Sequence, residues 1–309
     1  MPSGQYRTQM TIWGRSPGDA EVAREFVDGG NGTLPFSENL FPLVRHPLVR
    51  EAGSEAGKWL LAQRCYAYLD WTFALETDVV LPVAGRLADD IYDLAAGPAL
   101  SEDAFKIILD EGFHSIEAMH AKLAVAAATG IAPLAGFIQP SFLARLRASE
   151  DATDREQRLM ARFVFALVSE TLITGFLTDL PEDHTVLPVV RATVRRHAID
   201  EASHHRVFAK VMAIAWDRWS LRQRDLYAPW FAEFLDAFLA PDRRASAFWL
   251  HRLGLAEAAI HGLLEDVFAP SVQAPLIRRG AEPSLRAMRR AGLFDHPAFV
   301  DALGAKGLA

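Results

Sequence analysis

The sequence predicts an all-α protein built around a four-helix bundle, with further helices around that core. Three observations carry the prediction. Strand signals are nearly absent: no Asn-Gly turn joins two alternating segments, and few β-branched runs stand alone. Four long, strongly apolar segments, at about 55–80, 101–129, 152–178 and 188–216, are bounded by helix start and stop signals. Half of the 309 residues are hydrophobic, and no Gly/Ser-rich or Pro-rich linker divides the chain. Residues 1–309 therefore read as one helical domain with its bundle core at about 55–216.

Each element follows from local chemistry. Residues 1–40 read as mostly irregular, with a short helix near 18–28 ended by GGNG. The helix from about 55 meets Pro82, which lacks an N–H and kinks or ends it. Ser101 followed by Glu102 and Asp103 reads as an N-cap with a favourable acidic first turn, and Gly130 stops that helix. The third helix starts near 152 after ASEDATD and ends before Pro181. The fourth opens on Pro188, a good first-turn proline. Shorter helices are expected at 220–239, 242–266, 273–279, 282–290 and 296–304.

Composition narrows the function. The net charge is −7 and basic residues are scattered, which argues against a nucleic-acid surface and suits a cytoplasmic protein kept soluble by charge. Cys65 is the only cysteine, so no disulfide forms within the chain and no thiolate site holds a metal. The first residues, MPSGQYRTQMTIWGRS, lack the apolar stretch of a signal peptide. The run 159–177 is long enough to cross a membrane, but Arg162 and Glu170 interrupt it and no basic flank follows, so it reads as a buried helix.

The stretch RRHAIDEASHHR, residues 195–206, concentrates ionisable groups on an otherwise apolar helix. At roughly 100° per residue, His197, Glu201 and His204 share one sector about 60° wide. Alone, this reads better as a charged helix surface. DEGFH at 110–114 changes the balance, because it repeats the Asp-Glu-x-x-His form of DEASH at 200–204 on a second long helix. The two other bundle helices each carry a Glu in apolar surroundings: Glu76 in LDWTFALETDVVLP and Glu170 in FVFALVSETLITGF. A buried carboxylate with no cation nearby is costly, and metal coordination removes the cost. The order Glu, Glu-x-x-His, Glu, Glu-x-x-His thus predicts a site for two divalent ions, held by Glu76, Glu111, His114, Glu170, Glu201 and His204, with His197 as a seventh ligand. Mixed carboxylate and imidazole donors suit iron, or manganese, better than zinc. Asp110 and Asp200 precede the ligand glutamates and fit as acceptors for the free imidazole N–H groups. The natural pairing is across helices, Asp110 with His204 and Asp200 with His114. His205 lies off the ligand sector, and His120 and His251 have no partner pattern.

These residues, from Glu76 to His204, resemble the ferritin-like di-iron carboxylate oxygenases. The added His197, one turn before Glu201, together with the length and the all-helical domain, is similar to the arylamine N-oxygenases within them. The resemblance implies a ferritin-like bundle with two iron ions as cofactor and O₂ as co-substrate. It implies a small-molecule amine that becomes a hydroxylamine, nitroso or nitro product, and a place in antibiotic biosynthesis. Electrons would come from a reductase or ferredoxin, or peroxide would bypass them, and a homodimer is implied. It also implies that Glu76, Glu111 and His114 serve mainly one iron and that Glu170, His197 and His204 serve mainly the other, with Glu111 and Glu201 bridging.

By helical spacing, Phe73, Ile107, Ala166, Thr174 and Val194 are candidate walls of a substrate pocket, although each is also an ordinary core residue. No arginine stands out as an anchor for a substrate carboxylate. Trp71, one turn before Glu76, suggests an aromatic wall instead. Two other readings remain open from the residues: a di-iron hydroxylase or desaturase acting on C–H bonds, and a non-catalytic metal-binding helical protein.

Overall fold

The computed structural model describes residues 6–10, 33–134, 139–172 and 175–308, apart from the side chains of residues 175 and 176. The expected helix at 18–28 lies outside them. Apart from the five-residue helices Pro47–Glu51 and Gly175–Asp179, the α-helices are α1 (Ser54–Leu75), α2 (Leu81–Ala88), α3 (Pro98–Thr129), α4 (Ser141–Asp151), α5 (Arg155–Ser169) and α6 (Pro188–Arg218). They continue with α7 (Leu221–Leu239), α8 (Arg243–Arg252), α9 (Glu257–Val267), α10 (Pro270–Arg290) and α11 (Pro297–Ala305). No strand is present among the described residues; Leu34 and Val186 form an isolated bridge. The all-α architecture is consistent with a ferritin-like bundle made by α1–α2, α3, α5 and α6.

Two of the four bundle segments are not regular throughout, and both irregularities fall at a glutamate. Between α1 and α2, residues Glu76–Val80 widen into a π-helical turn, and Leu81 N–H bonds Glu76 O five residues back. Pro82 explains the widening: it offers no N–H, and its ring would press on the carbonyl four residues earlier. That carbonyl, of Asp78, instead accepts from Arg162 Nη1 at 3.1 Å. Arg162, which interrupts the apolar run 159–177, thus has a backbone partner as well as Glu150. The helix expected at 152–178 stops at Ser169, with Glu170 at its C-cap. Thr171 Oγ1 bonds back to Leu167 O and Val168 O, at 2.7 and 3.0 Å, and meets Ser284 Oγ of α10 at 2.6 Å. Such back-bonding closes a helix end and here ties it to an outer helix.

The remaining differences are also local. α3 begins at Pro98, because Ser101 Oγ donates to Ala88 O and does not cap. Gly130 ends α3 with φ 69°, as the sequence requires. α4 was hidden by its polar end; ASED is its last turn, and Phe142, Leu143 and Leu146 are its buried face. The helix expected at 242–266 breaks at Gly254, whose φ of 84° disfavours any other residue. The helices expected at 273–279 and 282–290 are joined in α10, which carries Pro275 and Pro283 inside it. No described helix is long and apolar enough to cross a membrane.

The apolar core is divided. One cluster contains Ala104 and Ile107 of α3, Phe163 to Val168 of α5 and Val207 to Met212 of α6. The other contains Leu60 to Leu69 of α1, Ala118 to Val125 of α3 and Val190 and Val194 of α6. Along α3 and α6 the residues between the two clusters are the ionisable ones. The site is therefore a polar layer inserted between two hydrophobic ones.

Thr171→Val should cost about 1–3 kcal/mol, since it leaves the fully buried Ser284 hydroxyl without its side-chain partner. Urea denaturation of the metal-free protein checks this; an unchanged midpoint would show that the α5–α10 tie is unimportant.

Candidate metal centre

α3 and α6 run antiparallel, as their contacts show: Asp110 meets His204, His114 meets Asp200, and Glu117 meets Arg196. Each Glu-x-x-His pair therefore faces the other. His114 Nε2 lies 3.1 Å from Asp200 Oδ2, and its Nδ1 lies 2.7 Å from Glu111 Oε2. His204 repeats the pattern, with Nε2 at 3.2 Å from Asp110 Oδ2 and Nδ1 at 3.0 Å from Glu111 Oε1 and 3.2 Å from Glu201 Oε1. In both rings Nε2 turns outward to an aspartate of the opposite helix and Nδ1 turns toward the glutamates.

Glu76, from the π-turn, and Glu170, from the end of α5, close the two remaining sides. Glu76, Glu111, His114, Glu170 and His204 are all buried, and the Glu201 side chain is 12 % exposed. Their donor atoms form two groups within which all lie no more than 4.8 Å apart: Glu76, His114 and His197; and Glu111, Glu170, Glu201 and His204. All seven residues expected from the sequence are thus brought together. One assignment changes. His197 joins Glu76 and His114, with Nε2 at 3.6 Å from Glu76 Oε1 and its ring centroid 4.2 Å from that of His114. The reason is the antiparallel crossing: moving back one turn on α6 from Glu201 leads toward the His114 level of α3, away from Glu170 and His204. His120, His205 and His251 belong to neither group.

The electrostatics are those of four carboxylates in a poorly solvated layer. Burial, reinforced by Glu111, Glu170 and Glu201, pushes the Glu76 carboxyl well above the usual carboxylate range. Burial beside Glu201 and Glu111 does the same to Glu170. For Glu111, burial is outweighed by the charges of His204 and His114, which bring it down to about 2. For Glu201, burial is likewise outweighed by His204 and His197, and its pKa falls well below the carboxylate range. Burial disfavours the imidazoliums too, but Glu111 and Asp200 raise His114 to about 10, and Glu201 and Glu111 raise His204 well above its ordinary value. The layer thus binds protons more tightly at Glu76, Glu170, His114 and His204. The residues fit a pair of divalent ions on a further observation: Glu76 Oε2 and Glu170 Oε2 are buried and have no hydrogen-bond partner. Such oxygens are lone pairs aimed at a cation.

The pocket walls differ from those expected. A cavity of about 10 Å³, room for roughly one water, lies beside His114 and His197 and is lined by Tyr68, Thr72, Glu117, Thr193 and Val194 among others. Of the five residues expected to line a pocket, Val194 lies on it. Phe73 does not: it is 38 % exposed, because Tyr68, Leu69 and Thr72 form the inward face of α1. Ile107 and Ala166 are packed in the apolar cluster, and Thr174 lies outside the described residues. Trp71 packs edge-on against Phe142 and Phe238 and is not part of the cavity wall. Sequence reasoning missed the pair at its rim, where Arg196 Nε donates to Glu117 Oε1 at 2.7 Å. A signal for it existed, since Glu117 stands one turn beyond His114.

The family model for P-aminobenzoate N-oxygenase AurF matches residues 23–290. This chain belongs to the AurF family. It is 24% identical over 243 residues to a curated 4-aminobenzoate N-oxygenase of Streptomyces thioluteus, covering 77% of this chain and 71% of that protein. Membership makes this AurF-family protein an oxygenase, and its clustered Glu and His side chains are groups that could bind metal.

Three outcomes are expected. Metal uptake should release protons, from His114, raised to about 10, and from Glu76, Glu170 and His204, all held above their ordinary values, so affinity should rise with pH. Calorimetry in buffers of different ionisation enthalpy counts them, and a count near zero contradicts the charge scheme. The sign for the metal-free fold is the reverse for His114: its stabilisation is complete below its ordinary pKa of 6.5 and lost as pH rises through about 10. Asp110→Asn and Asp200→Asn should each lower metal affinity about 10–100-fold without unfolding the protein, measured by competition with a chelator.

Proposed function

We propose that the seven residues hold two iron ions and that the enzyme uses O₂ to N-oxygenate an amine, an arylamine being the preferred class. The observation that carries this reading is the reciprocal arrangement of α3 and α6. Each presents Glu-x-x-His, and each histidine is oriented by an aspartate of the other helix, with His197 added on the same face. Family membership and the similarity to a 4-aminobenzoate N-oxygenase support the choice of nitrogen over carbon as the atom oxidised.

The iron pair, when bound, supplies the Lewis acidity and redox capacity that activate O₂ for transfer of one oxygen atom. The chain does the rest. Asp110 and Asp200 would accept each Nε2–H and so leave each Nδ1 to the ions. Glu111 and Glu201 would supply carboxylate oxygens to them. Glu76 and Glu170 would each offer a buried Oε2 that has no hydrogen-bond partner to the ions. His197 adds a neutral donor without adding negative charge. The first oxidation balances as R–NH₂ + O₂ + 2 e⁻ + 2 H⁺ → R–NHOH + H₂O, with a reductase or ferredoxin as electron source, or peroxide in place of O₂ and electrons. The cavity beside His114 and His197, bordered by Tyr68 and Glu117, is the opening in the polar layer through which an amine would approach the ions.

Anaerobic loading with Fe(II), followed by O₂, reductant and a panel of arylamines with and without a carboxylate, should give products heavier by one oxygen atom that carry label from ¹⁸O₂. Loaded protein that oxidises only a C–H bond would refute the amine reading. Glu170→Ala should drop bound iron below two ions per chain and reduce amine oxidation at least ~100-fold.

A further inference from the structure

The arginines of α10 have no part in the metal centre. That helix carries five of them against one glutamate, and residues 202–216 of α6 add Arg206 and Lys210 with no carboxylate among them. In a chain of net charge −7 this is a concentrated cationic region. Packing assembles it from two helices. Arg286 and Arg290 share a face of α10 at a four-residue spacing, and both are exposed. Arg206 is exposed on α6, where its guanidinium donates to Ala202 O and Ser203 Oγ at 2.8 and 2.9 Å. All three guanidiniums lie near enough to the half-buried His205 ring for their charges to act on it. Arg286 pairs with Glu282 at 3.4 Å, whereas Arg290 and Lys210 have no carboxylate partner among the described residues.

The place of this region counts for more than its charge. His205 follows the candidate ligand His204, and the backbone of Thr171, which follows Glu170, is hydrogen-bonded to the same ring. Thr171 is in turn fixed to Ser284 of α10 at 2.6 Å. The patch thus stands outside the group Glu111, Glu170, Glu201 and His204, whereas the cavity borders His114 and His197 of the other group. We infer that Arg206, Arg286 and Arg290 form the docking surface for an acidic one-electron carrier protein of the ferredoxin type. Electrons would enter on the Glu170–His204 side and the amine on the His114–His197 side. This rests on the two-ion reading proposed above. Electron transfer slows steeply with distance, so a carrier must dock where the donor groups come close to the surface. Here the residue next to His204 reaches it. Opposite charge steers the encounter, and electron-transfer contacts are small and short-lived, so a few guanidiniums suffice. Each reduced carrier gives up one electron and leaves oxidised. Two visits supply the two electrons that convert R–NH₂ and O₂ to R–NHOH and H₂O, and solvent supplies the two protons. A nucleic acid fits less well, since it needs a longer basic stripe. An anionic membrane fits less well, since the rest of this anionic chain repels it.

A plant-type [2Fe–2S] ferredoxin, an acidic protein, is the probe. Titration calorimetry on the metal-free full-length chain at low ionic strength should show binding that weakens about 10-fold or more in about 0.5 M NaCl. Arg286→Glu and Arg290→Glu should each weaken it about 10-fold with helical circular dichroism unchanged. Arg50→Glu, at an exposed arginine ahead of α1, should leave it as it is. With iron loaded, stopped-flow reduction of the oxidised protein by reduced ferredoxin should slow by the same factor in the two α10 variants, while reduction by a small uncharged quinol stays at the wild-type rate. Absence of ferredoxin binding overturns the inference. So does binding indifferent to salt, binding unchanged in folded Arg286→Glu and Arg290→Glu, or tighter capture of phosphatidylserine vesicles or single-stranded DNA through the same arginines. The salt dependence is read on the wild-type protein and survives misfolding of either variant. Ferredoxin binding that passes these tests in a protein that oxidises no amine refutes the proposed function and leaves the docking surface standing.

Discussion

Desolvation of four carboxylates is the constraint on which the rest of the structure depends. Glu76, Glu111, Glu170 and Glu201 converge in a layer with apolar clusters on both sides. Four anions there are untenable without compensating positive charge. In the metal-free chain the constraint shows as an upward shift of the Glu76 and Glu170 carboxyls and of the His114 and His204 imidazoles, which hold their protons more tightly. Two divalent cations would balance the four carboxylate charges. A layer that is expensive without cations is a layer tuned to hold them.

The scaffold meets this constraint with two regular helices and two irregular ones. α3 and α6 supply five of the seven donors from continuous helix, and their antiparallel crossing lets each orient the histidine of the other through an aspartate. Glu76 and Glu170 come from a π-turn and a helix end. Both breaks have local causes, the missing N–H of Pro82 and the back-bonding hydroxyl of Thr171. Both place a carboxylate where helix geometry is no longer strict, which suits ligands that shift as an ion changes its charge. Arg162 repairs the hydrogen bond lost at Pro82, so one irregularity is stabilised by the helix that ends in the other.

α3 carries two chemically unlike faces, and its register keeps them apart. Its inward face alternates apolar residues with Asp110, Glu111 and His114; its outward face is an uncharged stripe centred on Gly112.

Much of this was legible in the sequence, for a definite reason. Helical periodicity is a local property, so the doubled Asp-Glu-x-x-His motif, the lone glutamates in apolar segments, and His197 one turn before Glu201 announce a shared face without any knowledge of packing. The cross-helix pairing of Asp110 and Asp200 also follows, once two such helices are taken to be antiparallel. The rest depended on contacts between segments distant in the chain. Whether His197 sides with Glu76 or with Glu170 is set by the crossing of α3 and α6. Which face of α1 turns inward is set by packing that leaves Phe73 outside and Thr72 inside, and Trp71 is claimed by Phe142 and Phe238. Thr171 closes α5 with an anchor more than a hundred residues away, and no window of sequence contains both partners. The sequence by itself determined the candidate donors and the helical bundle; only the tertiary structure decided how those candidates divide into two groups, because that division is a distance between helices and not a spacing along one.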